Sequence, residues 1–152
     1  MRKLIMLSGA PGSGKSTYAA NLPGNVVIVS TDEIRKEMTG EYANWGREKE
    51  MWAEFNRRAT KALASSSDVT VVLDATFLNN RNRWIALSQH YFEADYVELV
   101  MFERPLEVCL KQNLQRPREK WVPEDIIKTI RNKIEEPNDR VLSIIDNLER
   151  IK

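Results

Sequence analysis

Residues 9–17 read GAPGSGKST and directly follow the short apolar run 4–7. The stretch satisfies the pattern GxxxxGK[ST], a glycine-rich turn between a strand and a helix that brings backbone N–H groups to phosphate oxygens. Lys15 supplies a cation for the β- and γ-phosphates, and the hydroxyl of Ser16 is a ligand for Mg²⁺. The helix that begins near Lys15 points its positive end at the same anion. We therefore predict that the whole phosphate-binding loop (P-loop) contacts nucleotide: Gly9, Ala10, Pro11, Gly12, Ser13, Gly14, Lys15, Ser16 and Thr17.

Length and composition predict a single domain over residues 1–152. Of the 152 residues, 42% are hydrophobic and 30% are charged, which suits one globular domain with a sizeable core. No apolar stretch approaches the roughly 20 residues of a membrane-spanning helix, so no membrane partner is expected. The N-terminal apolar run is short and leads straight into the P-loop, which favours a first strand over a signal peptide.

The charge and the scarce reactive side chains narrow the possible functions. The net charge is +1, whereas a large non-specific nucleic-acid binder is normally basic, so any contact with nucleic acid would be local. The lone cysteine, Cys109, excludes an internal disulfide and is predicted to be a core thiol. The lone histidine, His90, is expected to be exposed and without a role. Together these features favour a cytoplasmic protein.

Apolar runs suited to buried parallel strands alternate with helical patterns along the chain. The predicted strands are Lys3–Ser8, Val26–Ser30, Val69–Asp74 and Tyr96–Phe102. The helical patterns cover Glu48–Ala64, Arg81–Phe92, Leu106–Leu114 and Pro123–Ile134, and the amphipathic piece Val141–Leu148 is left unassigned. The alternation predicts an α/β fold of the P-loop NTPase, nucleotide-kinase-like type: a three-layer α/β/α sandwich with a parallel sheet of four or five strands.

The second predicted strand ends in the segment STDEIR, residues 30–35. Ligands gather at the carboxyl ends of the strands in open α/β sheets, so Asp32 would face the γ-phosphate from the acceptor side. A carboxylate there can accept the proton of an attacking hydroxyl. Arg35, about one turn further along the helix, would hold an anionic part of the acceptor. A second interpretation, compatible with the first, is that Thr31 or Asp32 caps the helix.

Asp74 ends the third predicted strand, beside the strand of the P-loop. A carboxylate in this position binds Mg²⁺ or its waters, or hydrogen-bonds the hydroxyl of the P-loop. We favour a Mg²⁺ site formed by Asp74 and Ser16. The polar and cationic residues that follow either contact the acceptor, for which we name Arg81, or form a solvated helix start: Asn79, Asn80, Arg81 and Arg83.

A cationic loop over about residues 115–122 separates the last two confident helical patterns and is predicted to be a lid. It contains Arg116, Arg118 and Lys120. Phosphoryl transfer spreads negative charge over the equatorial oxygens, which an arginine on a lid can stabilise, and a lid also excludes water. The alternative interpretation is a solvated basic turn.

Four segments of the chain resemble one family, the 5′-hydroxyl polynucleotide kinases among the P-loop phosphotransferases. The segments are GAPGSGKST, STDEIR, LDATFLNNRNR and NLQRPREKWVPEDIIKTI, and the similarity spans nearly all of residues 1–135. The resemblance implies that ATP or another NTP is the donor and that the 5′-OH end of a nucleic acid is the acceptor. It also implies that Asp32 is the general base, that Arg35 binds the adjoining acceptor phosphate, and that Arg116 is the catalytic lid arginine.

The same resemblance extends the list of candidate site residues. It places Thr76 with Asp74 in the third-strand motif, and it predicts an acceptor wall over residues 40–60. There Trp45 could stack on a base and Arg47 could meet a phosphate; packing of Trp45 in the core or over the active site is an equal alternative. Arg118 could share the role of Arg116.

The chain departs from the family pattern in three places. Gln112 stands where the family has a second lid arginine, the lid is about two residues longer, and Phe77 stands where the family often has Asn. No phosphatase domain follows, so no 3′-phosphatase activity is expected.

Two other functions remain open on the sequence. One is a P-loop kinase for a small hydroxyl acceptor such as a nucleoside, a sugar or an antibiotic, which the near-neutral charge favours. The other is a nucleotide-gated regulatory NTPase, which needs no acceptor-facing Asp32–Arg35 pair. A homo-oligomer is neither indicated nor excluded, and DNA cannot be distinguished from RNA.

Overall fold

A computed structural model describes all 152 residues and contains a single sheet of five parallel strands. The strands are β1 (Arg2–Ser8), β2 (Val26–Ser30), β3 (Val69–Asp74), β4 (Tyr96–Phe102) and β5 (Asn147–Ile151), in the order β2-β3-β1-β4-β5. Four of them are the predicted strands, and the predicted α/β fold is confirmed.

Seven helices connect the strands. They are α1 (Lys15–Ala20), α2 (Thr31–Thr39), α3 (Glu48–Ala64), α4 (Asn80–His90), α5 (Leu106–Gln115), α6 (Glu124–Lys133) and α7 (Asp139–Leu142). Single 3₁₀ turns cover Tyr91–Glu93 and Arg118–Lys120, the second of them inside the predicted lid. None of the helices combines the length and the apolar character that crossing a membrane requires.

Helices cover both faces of the sheet, as a three-layer sandwich requires. The larger core packs α2, α3, α4 and α7 against one face, and its fully buried members include Leu4, Met6, Ile34, Phe55, Val71, Leu73, Leu87 and Leu99. On the other face α1 contributes Ala19 to a smaller core with Ile5, Leu7, Val72, Val100 and Phe102. Side chains alternate between the faces along each strand, which explains why β1 and β3 read as continuous apolar runs.

The sheet register places three chain segments at one edge. Asp74, the last residue of β3, is paired with Leu7 of β1 on one side and with Ser30 of β2 on the other. The P-loop follows β1 and helix α2 follows β2, so Asp74 lies between the phosphate-binding loop and the start of α2. This arrangement is the carboxyl edge at which parallel α/β sheets bind ligands.

The structure shows the burial of two residues to which the sequence assigned no part in the site, Cys109 and His90. Cys109 is buried, as predicted, in a small cluster with Ala10 and Ile127. The expectation of an exposed His90 is wrong, because this side chain is 2% exposed and its Nε2 lies 3.1 Å from Oδ1 of Asn56. His90, the last residue of α4, thus joins this helix to α3 through Asn56. A local sequence pattern does not predict such a tertiary contact.

Candidate active site

The P-loop is held tightly against its surroundings. Gly12 and Gly14 have φ angles of 79° and 96°, in the region that favours glycine, and Gly14 is the residue before α1. A Cβ on Gly12 would lie 2.3 Å from the carbonyl oxygen of Cys109 in α5. The loop is also joined to the end of β3, because Gly9 N–H donates to the carbonyl of Thr76 at 3.0 Å. The backbone cradle is thus preformed.

Lys15 folds back over this loop. Its Nζ donates to the carbonyls of Gly9 and Ala10, both at 3.0 Å. Burial lowers the pKa of Lys15, and the carboxylates of Asp74 and Asp32 partly offset that shift. A half-buried lysine near two carboxylates is held where an incoming polyphosphate would receive its charge.

Ser16 and Asp74 form the candidate metal site. The hydroxyl of Ser16 donates to Oδ2 of Asp74 at 3.3 Å, so the two functions considered for Asp74, metal ligand and partner of the P-loop hydroxyl, are compatible. Burial raises the pKa of Asp74, and the charge of Lys15 counteracts it. A hydroxyl and a carboxylate are hard oxygen ligands that fit Mg²⁺, which typically uses one or two protein ligands together with phosphates and waters.

The P-loop also contains one orphaned polar atom. The hydroxyl of Ser13 is buried and has no hydrogen-bond partner. Unpaired buried hydroxyls are costly and uncommon, and they often mark a position where a ligand is missing. Together with the preformed backbone and the Ser16–Asp74 pair, this atom makes the loop fit a nucleotide polyphosphate with Mg²⁺.

Asp32 lies in the first turn of α2, and its role there is not that of a cap. The cap is Ser30, whose Oγ accepts a hydrogen bond from the N–H of Glu33 at 3.3 Å. The interpretation that Thr31 or Asp32 caps α2 is therefore wrong. The Asp32 side chain is 55% exposed, and its Oδ1 accepts a hydrogen bond from Arg35 at 2.9 Å. Ser30, two residues earlier, is paired with Asp74 in the sheet, so Asp32 lies at the same carboxyl edge as the P-loop, and its charge acts on both Lys15 and Asp74.

Arg35 is braced by a residue that the sequence analysis missed. Its Nε and Nη2 donate to the two carboxylate oxygens of Glu48 at 3.0 and 2.8 Å, while Nη1 donates to Asp32. Burial alone would lower the pKa of Arg35, but the bonds to Glu48 and the charges of Glu48 and Asp32 outweigh it and raise the pKa. Three of the five N–H donors of Arg35 are used, which leaves two for an acceptor anion.

Trp45 stands over this group from the irregular loop between α2 and α3. The guanidinium of Arg35 lies 5.6 Å from the centre of the Trp45 ring, and the side chain of Trp45 is 60% exposed. The structure therefore excludes packing of Trp45 in the core and leaves an aromatic face beside Arg35.

The two arginines of the predicted lid differ in position. The charge of Arg116 is a minor influence on the pKa of both Lys15 and Asp74, so Arg116 is the lid arginine whose charge reaches the P-loop. Its carbonyl accepts the indole N–H of Trp121 at 2.8 Å, which folds the lid back on itself. Arg118 is exposed and lies 5.7 Å from the ring of Trp121. Of the two, Arg116 is the residue that the fold brings to Lys15.

The lid is docked on α2. Lys36 of α2 pairs with Glu119 at 3.2 Å, and Lys120 pairs with Glu33 of α2 at the same distance. The pairing is reciprocal, because each element contributes one lysine and one glutamate. These two ion pairs hold the lid against the helix that carries Asp32.

Three further candidate site residues, Arg47, Thr76 and Arg81, form no hydrogen bond or ion pair with Asp32, Lys15 or Asp74 through their side chains. Arg47 is exposed, pairs with Glu50 and donates to the carbonyl of Met38, so it braces α2 to the start of α3. Thr76 is half-buried and its backbone joins the P-loop. Arg81 is exposed in the first turn of α4 and forms no hydrogen bond or ion pair within the chain.

Arg83 is the second residue that the sequence analysis misjudged. It is neither solvated nor turned to an acceptor: the side chain is fully buried and donates to the Phe77 carbonyl at 2.8 Å and to Ser8 Oγ at 3.1 Å. Burial lowers its pKa to about 10. Phe77 itself has a φ of 38° and packs against Trp52 and Phe55, so the residue that replaces the family Asn is a core residue here.

Comparison with known proteins agrees with this geometry. Residues 4–137 match the family model described as an AAA domain, and the chain belongs to that family of P-loop proteins. In the solved structures, the chain is similar to a chain of the Pnkp1/Rnl/Hen1 RNA repair complex, with a TM-score of 0.71 and 23% identity over 88% of this chain and 44% of that one. A second structure of the Pnkp1/Rnl/Hen1 complex gives a TM-score of 0.63 and 28% identity over 72% of this chain and 38% of its own.

Two other structures share the fold at lower identity. Kti12 from Chaetomium thermophilum, in complex with ADP-AlF3, has a TM-score of 0.71 and 17% identity over 97% of this chain and 88% of its own. A gluconokinase from Sinorhizobium meliloti has a TM-score of 0.58 and 17% identity over 97% of this chain and 81% of its own. The resemblance to the polynucleotide kinases is thereby confirmed, while this chain spans less than half of the chains it matches in the Pnkp1/Rnl/Hen1 complexes. The fold is that of kinase-like, nucleotide-binding P-loop proteins.

Proposed function

We propose that this protein is a polynucleotide 5′-kinase, which transfers the γ-phosphate of ATP or another NTP to the 5′-OH end of DNA or RNA with Mg²⁺. The observation that carries the proposal is the position of Asp32. Its carboxylate is half-exposed, acts electrostatically on Lys15, caps no helix and is held through one oxygen by Arg35. A carboxylate so placed is available to an attacking hydroxyl, which a purely nucleotide-gated switch would not require.

In the proposed step the acceptor oxygen forms a bond to the γ-phosphorus while the bond from that phosphorus to the β–γ bridging oxygen breaks. Asp32 accepts the hydroxyl proton, and the donor leaves as the nucleoside diphosphate. The Oδ1 of Asp32 is held by Arg35, so Oδ2 is the atom that would receive the proton. Arg35 fixes the direction of the carboxylate, and Glu48 fixes Arg35.

Cations surround the group in transfer. Lys15 would exchange the carbonyls of Gly9 and Ala10 for the β- and γ-phosphates, and Arg116 would approach the equatorial oxygens from the lid. Ser16 and Asp74 would hold Mg²⁺, which when bound would neutralise charge between the β- and γ-phosphates. The docked lid would keep water away from the phosphoryl group.

The proposal that the acceptor is a nucleic acid rests on the residues beside Asp32. The two free donors of Arg35 suit the phosphate next to the reacting nucleoside, and the exposed face of Trp45 suits stacking on a base. The 28% identity with a chain of the Pnkp1/Rnl/Hen1 complex, which is described as an RNA repair complex, supports a nucleic-acid acceptor. Arg47 donates to the carbonyl of Met38 and so braces the acceptor wall, and its exposed ion pair with Glu50 is one that an acceptor phosphate could displace.

A small hydroxyl acceptor is the second candidate, favoured by the net charge of +1 and by the fold shared with a gluconokinase. The test is a panel of acceptors with labelled ATP and Mg²⁺: a 5′-OH oligonucleotide of DNA and of RNA, a nucleoside, and gluconate. We expect label on an oligonucleotide and none on the nucleoside or gluconate. Label on a small acceptor alone would contradict the proposal, as would ATP hydrolysis without transfer to any acceptor.

A further inference from the structure

The contact between α2 and the lid includes a cationic cluster that the proposed chemistry does not use. Tyr42, from the loop after α2, is in contact with two lysines: Nζ of Lys36 is 5.2 Å from the centre of its ring, and Nζ of Lys120 is 5.0 Å from it. The three residues, which we call the Tyr42 cluster, come from three different elements. An aromatic ring attracts ammonium groups to its face, so Tyr42 holds two like charges together that would otherwise repel.

The cluster lies further along α2 than the proposed general base. Lys36 follows Asp32 by four residues, so it lies on the same side of the helix and about 6 Å further along the axis. Lys120 reaches the same region through its ion pair with Glu33. A nucleoside or a sugar with its hydroxyl at Asp32 would end near Arg35, whereas a strand that continues along α2 towards the lid would pass the Tyr42 cluster.

Each lysine already has a carboxylate partner, and this partner is replaceable. Lys36 and Lys120 are 35% and 31% exposed, while Glu119 and Glu33 are 57% and 52% exposed. Ion pairs at such exposure contribute little, about 0–1 kcal/mol, because water and salt screen them. A phosphate presents the same negative charge with more acceptor oxygens, so it can displace either glutamate.

We propose that Lys36 and Lys120 bind an internucleotide phosphate beyond the first nucleotide of the acceptor, with Tyr42 as the residue that positions them. The inference rests on the proposed function and specifies it: the second subsite makes the protein prefer a strand to a mononucleotide. Glu33 and Glu119 occupy the lysines until nucleic acid arrives; a phosphate shared by Lys36 of α2 and Lys120 of the lid then joins the two elements in their place, so the lid stays docked.

The ion pairs provide a matched test, because the two partners of each pair should act in opposite directions. The acceptors are a 5′-OH trinucleotide and a nucleoside 3′-monophosphate, which reaches only Asp32 and Arg35. We expect Lys36→Gln or Lys120→Gln to raise the KM for the trinucleotide about fivefold relative to the KM for the monophosphate. Glu119→Gln and Glu33→Gln should lower the ratio of the KM for the trinucleotide to the KM for the monophosphate. Each lysine removed should also reduce the slope of log KM against log salt by about 0.7 for a single strand.

The other outcomes separate the two proposals. Substitution of a lysine and substitution of its glutamate partner could instead change the KM values for both acceptors equally and in the same direction. In that case the cluster only holds the lid against α2, and the inference is wrong. Binding of a fluorescent trinucleotide, measured by anisotropy without ATP, gives an independent result. Binding that weakens in Lys36→Gln but not in Glu119→Gln supports the subsite even if no phosphate is transferred, in which case the proposed function alone fails. A trinucleotide that is neither bound nor phosphorylated overturns both.

Discussion

At the scale of single residues, Gly12 shows how closely the P-loop is packed. Its φ is 79°, and the carbonyl of Cys109 occupies the space where a side chain would begin. Gly24 offers a control, because its φ is 87° but nothing lies within 4 Å of its Cβ position. The two glycines share the backbone requirement and differ only in the steric one.

We predict that Gly24→Ala costs about 1 kcal/mol from left-handed strain alone. Gly12→Ala should cost at least about 2 kcal/mol more, because α5 must move away from the loop, and it should also weaken nucleotide binding. Urea unfolding and a thermal-shift titration with ATP measure the two effects. Equal losses of stability in both variants would show that the loop does not press on α5 as described.

Arg83 is a buried cation that supports the edge of the sheet. Its guanidinium holds the carbonyl of Phe77, whose backbone is strained at a φ of 38°, and the hydroxyl of Ser8 at the end of β1. We predict that Arg83→Met, which keeps the apolar stem, destabilises the fold by about 2 kcal/mol through the lost charged hydrogen bonds. Arg81→Met, two residues earlier and exposed, should stay within about 0.5 kcal/mol by the same denaturant measurement. A stable Arg83→Met protein would contradict the bracing role.

At the scale of elements, the contact between α3 and α4 depends on the charge of one residue. Burial lowers the pKa of His90 below its ordinary value of 6.5, and Asn56 of α3 is its partner. Since the unfolded chain then binds a proton more readily than the folded one, His90 contributes stability above pH 6.5. That contribution is lost as the pH falls from 6.5 through the lowered pKa of the folded state.

We therefore predict that the free energy of unfolding decreases as the pH falls below about 6.5, and that His90→Gln flattens the decrease. Glutamine keeps a polar group near Asn56 and has no charge to gain. Thermal melts of both proteins across this range, at constant salt, make the comparison. Parallel pH profiles for the two proteins would show that His90 does not titrate as inferred.

The elements also show where sequence patterns are informative. The P-loop, Asp32 and Asp74 could be predicted because each follows a strongly apolar strand, and the carboxyl ends of parallel strands meet. Residues 141–148 could not be assigned, because a short amphipathic piece fits both periods. In the structure it divides between α7 and β5, and β5 begins where Asp146 exchanges hydrogen bonds with the backbone of Val97 in β4.

The long-range hydrogen bonds and ion pairs of the site could not be predicted from the sequence. Glu48 braces Arg35 from 13 residues away, and Glu119 pairs with Lys36 across 83 residues. Arg83 looked like its exposed neighbours, since nothing in a helix start distinguishes a buried arginine from a solvated one. Such contacts depend on how helices meet, and local composition carries no information about that.

At the scale of the whole molecule, the net charge is only +1, although several cations gather at the candidate active site on the carboxyl edge of the sheet. The cations at the edge are compensated internally: Lys15 lies near Asp74 and Asp32, Arg35 pairs with Glu48, and Lys36 and Lys120 pair with glutamates. A nearly neutral protein can therefore present positive charge locally when phosphates displace these partners. This arrangement suits binding of a strand end better than non-specific coating of nucleic acid.

The most direct test of the proposed kinase is transfer of the γ-phosphate by the wild-type protein and by Asp32→Asn. Both are incubated with labelled ATP, Mg²⁺ and either a 5′-OH oligonucleotide or the same strand already carrying a 5′-phosphate. We predict label on the 5′-OH strand only, and a loss on the order of 10²–10⁴-fold in the variant, the usual contribution of a general base, with ATP binding retained. Equal transfer by the two proteins, or ATP turnover with no label on either strand, would contradict the assignment of Asp32 and of the polynucleotide acceptor.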